Sequence, residues 1–465
     1  MYSSVSHKAR PRTLESRASQ VSLAHSPATT TKPQHTDAFQ SSTLRLWELP
    51  NSLQTSPNTK PWNFSKKKNI RTDNDILSKE IPYRAATIEF FAKPLSSVAW
   101  ISPFEETRNQ YLDNNHSLIA IGSCLGDGGD WIRLIQLQVS EMSLTSKEST
   151  IDLSLNTVTT SPIGDVINVL CPSSLSSNSS NSVLLFYGTL RGQVCGVKLS
   201  LEPNDDDNPM FSDKPASRCL HYEAVIGLTE LPFKNQLVAA TNLGNLQMYQ
   251  IDNDINSLSY VELPDSPTSR MLEPVSFTDI CTVTETMVAA SGRTGSVCCF
   301  DTRTFTKESQ RLSIAASGIC CTCVSVDSGQ PNYIFAGTSQ GELVAWDRRI
   351  VREGVHAPLY RIAAHHGRVS RIGVSPVWNP GVVFTSGKKD AQVLCWDFAS
   401  AAKMDLSFGK KFKDANSCWE ANIQKEQVQN IARDSVFSLN DMDLHPTTPL
   451  VAYVSSSSSL NVICL

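Results

Sequence analysis

The chain has 465 residues, 40% hydrophobic and 18% charged, enough for a substantial core and for one large repeat domain with a tail. Its formal net charge of −4 provides no broad basic field, which argues against nucleic acid as a direct partner. No stretch approaches the ~18 consecutive apolar residues of a membrane-spanning helix, and "MYSSVSHKARPRTLESRASQ" lacks the apolar core of a secretory signal, so neither membrane insertion nor secretion is expected.

Residues 1–80 are rich in Ser, Thr, Pro, Gln, Asn and Lys, with little sustained apolar pattern. Such a segment cannot bury enough surface to offset its ordering entropy, which predicts a disordered, low-complexity tail. "LRLWELP" (44–50) is its one apolar island, readable as a docking motif, as a strand lying on the domain or as a sticky spot in a tail. "KKKNIR" (66–71) reads as a nuclear import signal, a lipid contact or a solvated charge run.

Residues 81–465 are expected to form the folded domain. Strand-like stretches alternate there with Gly, Asn, Asp and Ser, and a helical period appears only in the mixed stretch 415–433. One hairpin pattern recurs, first as "LIAIGSCLGDGGDWIRLIQL" (118–137), "VLLFYGTLRGQVCGVKL" (183–199) and "QLVAATNLGNLQMYQI" (236–251). It returns as "TMVAASGRTGSVCCFD" (286–301), "YIFAGTSQGELVAWD" (333–347), "VVFTSGKKDAQVLCWD" (382–397) and "LVAYVSSSSSLNVICL" (450–465). In the middle five the turn residue falls at Gly192, Gly244, Gly295, Gly341 and Asp390, a spacing of about fifty residues that suits four-stranded blades.

A further apolar strand precedes the hairpins, as in "GDVINVL" (164–170), "EAVIGLTEL" (223–231), "FTDICTV" (277–283), "CCTCVSV" (320–326) and "VSRIGVSP" (369–376). The last hairpin ends at "NVICL" without an outer strand, and "ATIEFFA" (86–92) is the candidate to supply it. That pairing would close the circle and remove exposed edges. The predicted fold is all-β: a seven-bladed β-propeller with a disordered N-terminal tail.

The hairpins resemble WD repeats: Trp346-Asp347 and Trp396-Asp397 end their strands where that family has its signature dipeptide, and Cys299-Phe300-Asp301 departs from it. One blade resembles the full pattern, with His365 in the histidine position, Ser386 on the second strand, Asp390 at the turn and Trp396 on the third strand. The resemblance implies that these four form a buried structural hydrogen-bond set. The repeat context favours that role over a hydrolase triad, which needs a nucleophile in an open cleft.

The less regular pieces carry a second resemblance through their order. "FFAKPLSSVAWISP" precedes "AIGSCLGDGGDWIRLIQL", followed by "GDVINVL", "SGRTGSVCCFDTR", "AGTSQGELVAWDRR", "APLYRIAAHHGRVS" and a late insertion before "SVFSLNDMDL". That order is similar to the WD-repeat nucleoporins of the Y-shaped outer-ring complex of the nuclear pore. The resemblance implies a WD-repeat scaffold subunit at the nuclear envelope, and at the kinetochore during mitosis, supporting nucleocytoplasmic transport. It implies other Y-complex nucleoporins as partners, among them an α-helical scaffold nucleoporin. The long tail and the Ser-rich insert "CPSSLSSNSSNS" (171–182) depart from that family.

Thirteen cysteines, an odd count with no secretory signal, sit mostly in apolar alternating runs and read as buried thiols in a reducing compartment. "CCTC" (320–323) contains a C-x-x-C but lacks the second pair of a zinc site, so it reads as a strand of small buried residues. "GDGGD" (126–130) lacks the spaced ligands of a calcium loop and reads as a wide hairpin turn, and "GKKFK" (409–413) as a solvated loop or an anionic contact. No phosphate loop, nucleophile elbow or zinc-protease motif is present. The expectation is a non-enzymatic platform for proteins, with no metal, no cofactor and no small-molecule substrate. The alternative from another class is a substrate receptor of a ubiquitin ligase or a chromatin adaptor, suggested by Arg349 standing two after Asp347 in "DRRI" (347–350).

Overall fold

The computed structural model describes residues 85–101, 116–124, 130–144, 148–173, 182–200, 210–211, 216–219, 223–251, 258–261, 276–304, 308–314, 318–350, 358–374, 381–398, 419–420, 428–433 and 437–465. The readings on 1–80, on "GKKFK" and on most of the Ser-rich and "GDGGD" stretches lie outside these residues.

Alternating apolar residues give each short strand a face to bury on either side, and the strands gather into seven antiparallel blades. The innermost strands are Leu95–Ile101, Ile167–Pro172, Val225–Leu231, Phe277–Thr284, Cys321–Val326, Val369–Val374 and Leu439–Leu444. Each predicted hairpin supplies the second and third strands of its blade. Inner strands pack against their neighbours all the way round, the seventh against the first, so the ring is closed. The fold is a seven-bladed β-propeller.

Closure comes from the strand expected to provide it. Ala85–Phe90 pairs antiparallel with Ser459–Cys464, from Ala85 opposite Cys464 to Phe90 opposite Ser459. The seventh blade therefore takes three strands from one end of the domain and its outer strand from the other. The core is divided accordingly into apolar clusters that fill the gaps between successive blades, seven in all among the described residues.

The register fixes which loops share a face. The first residue of each inner strand lies opposite the last of the second strand, as Leu95 opposite Ser123 and Val369 opposite Gly387. The linkers between blades and the second-to-third-strand turns therefore emerge together. A repeated bond ties them, from the residue after the second strand to the residue before the inner one: Leu190 N–H to Val166 C=O at 3.0 Å, Arg293 to Ser276 at 2.9 Å, Lys388 to Arg368 at 2.8 Å.

Three features refine or depart from the sequence expectations. Asp390 lies in the sixth turn as expected, but the left-handed residue there is Ala391 (φ 53°), whereas Gly192, Gly244, Gly295 and Gly341 are themselves left-handed in their turns. The third and fourth strands of blade 1, Trp131–Leu144 and Glu148–Pro162, are more than twice the length of most of their counterparts. In 415–433, where the sequence carries a helical period, Val428–Arg433 is the outer strand of blade 6 and Trp419–Glu420 adds a parallel strand to blade 5.

Candidate functional site: the axial channel and the blade 6 hydrogen-bond set

The inner strands share an irregularity that builds the wall of the channel. In each, the register slips by one residue after the first position, a β-bulge that recurs in all seven blades. The bulged residues are Ser96, Asn168, Ile226, Thr278, Thr322, Ser370 and Asn440. Six of them donate a side-chain hydrogen bond to the carbonyl that begins the next inner strand. Asn168 reaches Val225 at 2.7 Å, Thr278 reaches Cys321 at 2.8 Å, and Thr322 reaches Val369 at 2.7 Å. Ser370 reaches Leu439 and Asn440 reaches Leu95, both at 2.7 Å, while Ser96 bonds Ile167. The circuit is interrupted only at blade 3, where Ile226 has nothing to donate. Thr229 and Thr282, 2.7 Å apart, and Ser276 to the Asn242 carbonyl hold that joint instead.

The residue after the bulge brings charge into the ring. Arg371 of blade 6 reaches across to blade 4, its Nη1 3.0 Å from both carboxylate oxygens of Asp279, and its Nε lies 3.5 Å from Asp441 of blade 7. The Arg371 side chain as a whole keeps 35% of its surface accessible. The carboxylates also accept backbone N–H groups of the following blade: Asp279 from Val324 at 3.1 Å, Asp441 from Val98 at 3.1 Å, and Asp443 from Trp100 at 2.8 Å. They act as clasps between blades. Burial pushes the Asp443 carboxyl up to about 6, opposed by the Trp100 N–H and Arg371, and burial likewise raises Asp441. The Asp279 charge, ahead of Asp441 and Asp443, raises Arg371 and keeps it cationic.

On blade 6 the predicted set forms with one member exchanged. His365 Nδ1 lies 3.0 Å from Asp390 Oδ2 and its Nε2 lies 2.8 Å from Thr385 Oγ1, which also accepts the Trp396 indole N–H at 2.9 Å. Ser386, named from the sequence, is buried and its hydroxyl has no partner. Strand parity explains the exchange. Trp396 stands opposite Val383, so Val383, Thr385 and Gly387 share its face and Ser386 points the other way. Gly387 matters here, because a methyl group at that position would collide with Asp390 and with His365 Nδ1. Burial raises the Asp390 carboxyl, but its bond to His365 and the ring's charge outweigh this and hold it below the usual carboxylate value. Blade 5 has the matching tryptophan without the set: Trp346 stands opposite Ile334, Ala336 occupies the place of Thr385, and the indole N–H has no partner.

Among the described residues no three His, Cys, Asp or Glu side chains converge as metal ligands, and no disulfide forms. Burial pushes the Cys171 and Cys323 thiols up to about 12 and Cys464 to about 11, so these sulfurs are weak nucleophiles at neutral pH. His365 and Asp390 are enclosed in the blade and face no open cleft. No protein-family model matches the chain, and no curated protein matches it. A closed propeller ring, hydrogen-bonded from blade to blade at its joints, suits a protein-interaction platform.

Proposed function

We propose that this propeller is a structural, non-catalytic subunit of the nuclear pore outer ring, docked in the Y-shaped complex onto an α-helical scaffold nucleoporin and serving nucleocytoplasmic transport from the nuclear envelope. The observation that carries this reading is the order of the irregular blades and inserts along the sequence, which is similar to that of nucleoporin 43. A closed, stiff ring suits such work, because a scaffold subunit gains by losing little freedom when it docks. Affinity purification of the tagged chain at gentle salt tests it. Stoichiometric helical nucleoporins, with a rim of signal at the nuclear envelope, are the expected result. An even cytosolic distribution with no pore proteins recovered would end this reading.

One observation favours a second reading, a receptor subunit of a ubiquitin ligase. Arg349 is clamped to Asp347 with Nη2–Oδ2 at 2.6 Å, and blade 4 repeats the arrangement with Arg303 on Asp301 at 2.5 Å. Both arginines stay largely exposed, 59% and 66%, at the same end of adjacent blades. Ligase adaptor subunits in the same purification, lost on Arg303→Ala/Arg349→Ala, would select this reading over the first.

A further inference from the structure

The face that carries the interblade linkers and the second-to-third-strand turns has an uneven charge balance. Its described acidic groups are satisfied locally. Asp130 accepts from Ser123 at 3.3 Å; Asp165 accepts the Val166 N–H at 2.8 Å and has Arg191 at 3.8 Å. Glu223 accepts from Thr241 and Asn245, both at 2.6 Å, and Asp390 is taken by His365. The cations are another matter. Arg368, Lys388 and Lys389 are all exposed, and among the described residues none of them forms an ion pair.

These three sit together, on two loops that are locked to each other. Lys388 N–H donates to the Arg368 carbonyl at 2.8 Å, and the side chain of Lys389 lies against Gly367, itself at φ 100°. Asp390 then fixes both loops from beneath, accepting the His366 N–H at 3.0 Å as well as the His365 ring. The buried set anchored by Thr385 and Trp396 thus underlies a corner where, among the described residues, cations without an ion pair cluster. Loops ordered in advance lose little entropy on binding, which is where such an arrangement gains affinity.

We propose that this corner of blade 6, formed by Arg368, Lys388 and Lys389, is a docking surface for an acidic segment of a protein partner. The proposal rests on the platform reading above and is independent of which complex the platform serves. Three cations match a short run of Asp and Glu. They fall short of the roughly six to ten phosphate contacts that nucleic-acid binding draws on at physiological salt. The adjoining channel, with Asp279, Asp441 and Asp443 around the single guanidinium of Arg371, would repel a polyanion that extended inward.

The test uses the full chain and a fluorescent Glu/Ser peptide, read by anisotropy, beside a single-stranded oligonucleotide of equal charge. We expect saturable peptide binding that weakens with salt and falls about tenfold or more in Arg368→Glu/Lys388→Glu/Lys389→Glu. Lys388→Gln/Lys389→Gln, the milder change, should give an intermediate loss, and Arg293→Glu on blade 4 none; circular dichroism verifies that each variant is folded. Absence of saturable peptide binding, unchanged affinity in the triple reversal, or tighter binding of the oligonucleotide would each overturn the proposal. Failure of the unmodified chain to retain any stoichiometric protein partner is a separate outcome and would sink the platform reading itself.

Discussion

Thr385 and Ser386 are neighbours on one strand and face opposite sides of it, and their hydroxyls have opposite fates. Thr385→Val would leave both a buried imidazole nitrogen and the Trp396 indole unpartnered. We expect a loss of about 2 kcal/mol, read as a lower urea midpoint at unchanged slope. Ser386→Ala removes a buried hydroxyl that bonds nothing and should be neutral or slightly stabilising by the same measurement. "VVFTSG" places two hydroxyl residues side by side, and only the pairing of Val383 with Trp396 decides between them. Sequence alone holds no such register. At Ser458, φ is 63°, in the left-handed region where a side chain is strained; Ser458→Gly is expected to stabilise by about 1 kcal/mol.

Blades were the most legible element, since strand alternation and Gly turns repeat with a short period that survives any reading frame of loops. The joints between them were not. Ser96, Asn168, Thr278, Thr322, Ser370 and Asn440 differ in chemistry and occupy a bulge that no periodicity announces. A signal was nevertheless present, because each follows the apolar residue that opens its inner strand. Thr322→Val and Asn440→Ala should each cost about 1 kcal/mol in denaturant melts. Ile226→Thr is expected to cost less than Ile-to-Thr changes at comparable half-buried sites, because the new hydroxyl can reach the carbonyl that opens the next inner strand. If it costs as much as those changes, the hydrogen-bond circuit contributes little to holding blades together.

Across the whole molecule the closing strand was readable at both ends, while the channel was not: Arg371 meets Asp279 from two blades away, a distance no motif spans. The channel sets the acid response. A folded-state carboxyl value raised by burial, as at Asp443 (about 6) and Asp441, means the folded ring binds protons that the unfolded chain releases, so stability rises as pH falls from 7 toward 5. Asp347 and Asp301, held low by their arginines, and Asp390 work the other way and lose their contribution as pH drops below the ordinary carboxylate value. A melting-temperature maximum near pH 5 should follow, and Asp443→Asn should flatten the rise above it. Arg371→Met would strand Asp279 and Asp441 without a counter-charge and is expected to cost about 2 kcal/mol or more at neutral pH. The closing sheet has a further consequence for synthesis. Ala85–Phe90 emerges from the ribosome before any other blade strand, yet its partner Ser459–Cys464 is the last to appear, so at roughly 5–20 residues per second it waits on the order of a minute. During that interval Ile88 and Phe90 lie on a strand with nothing to pair with, a natural client for a chaperone that shields nascent edges.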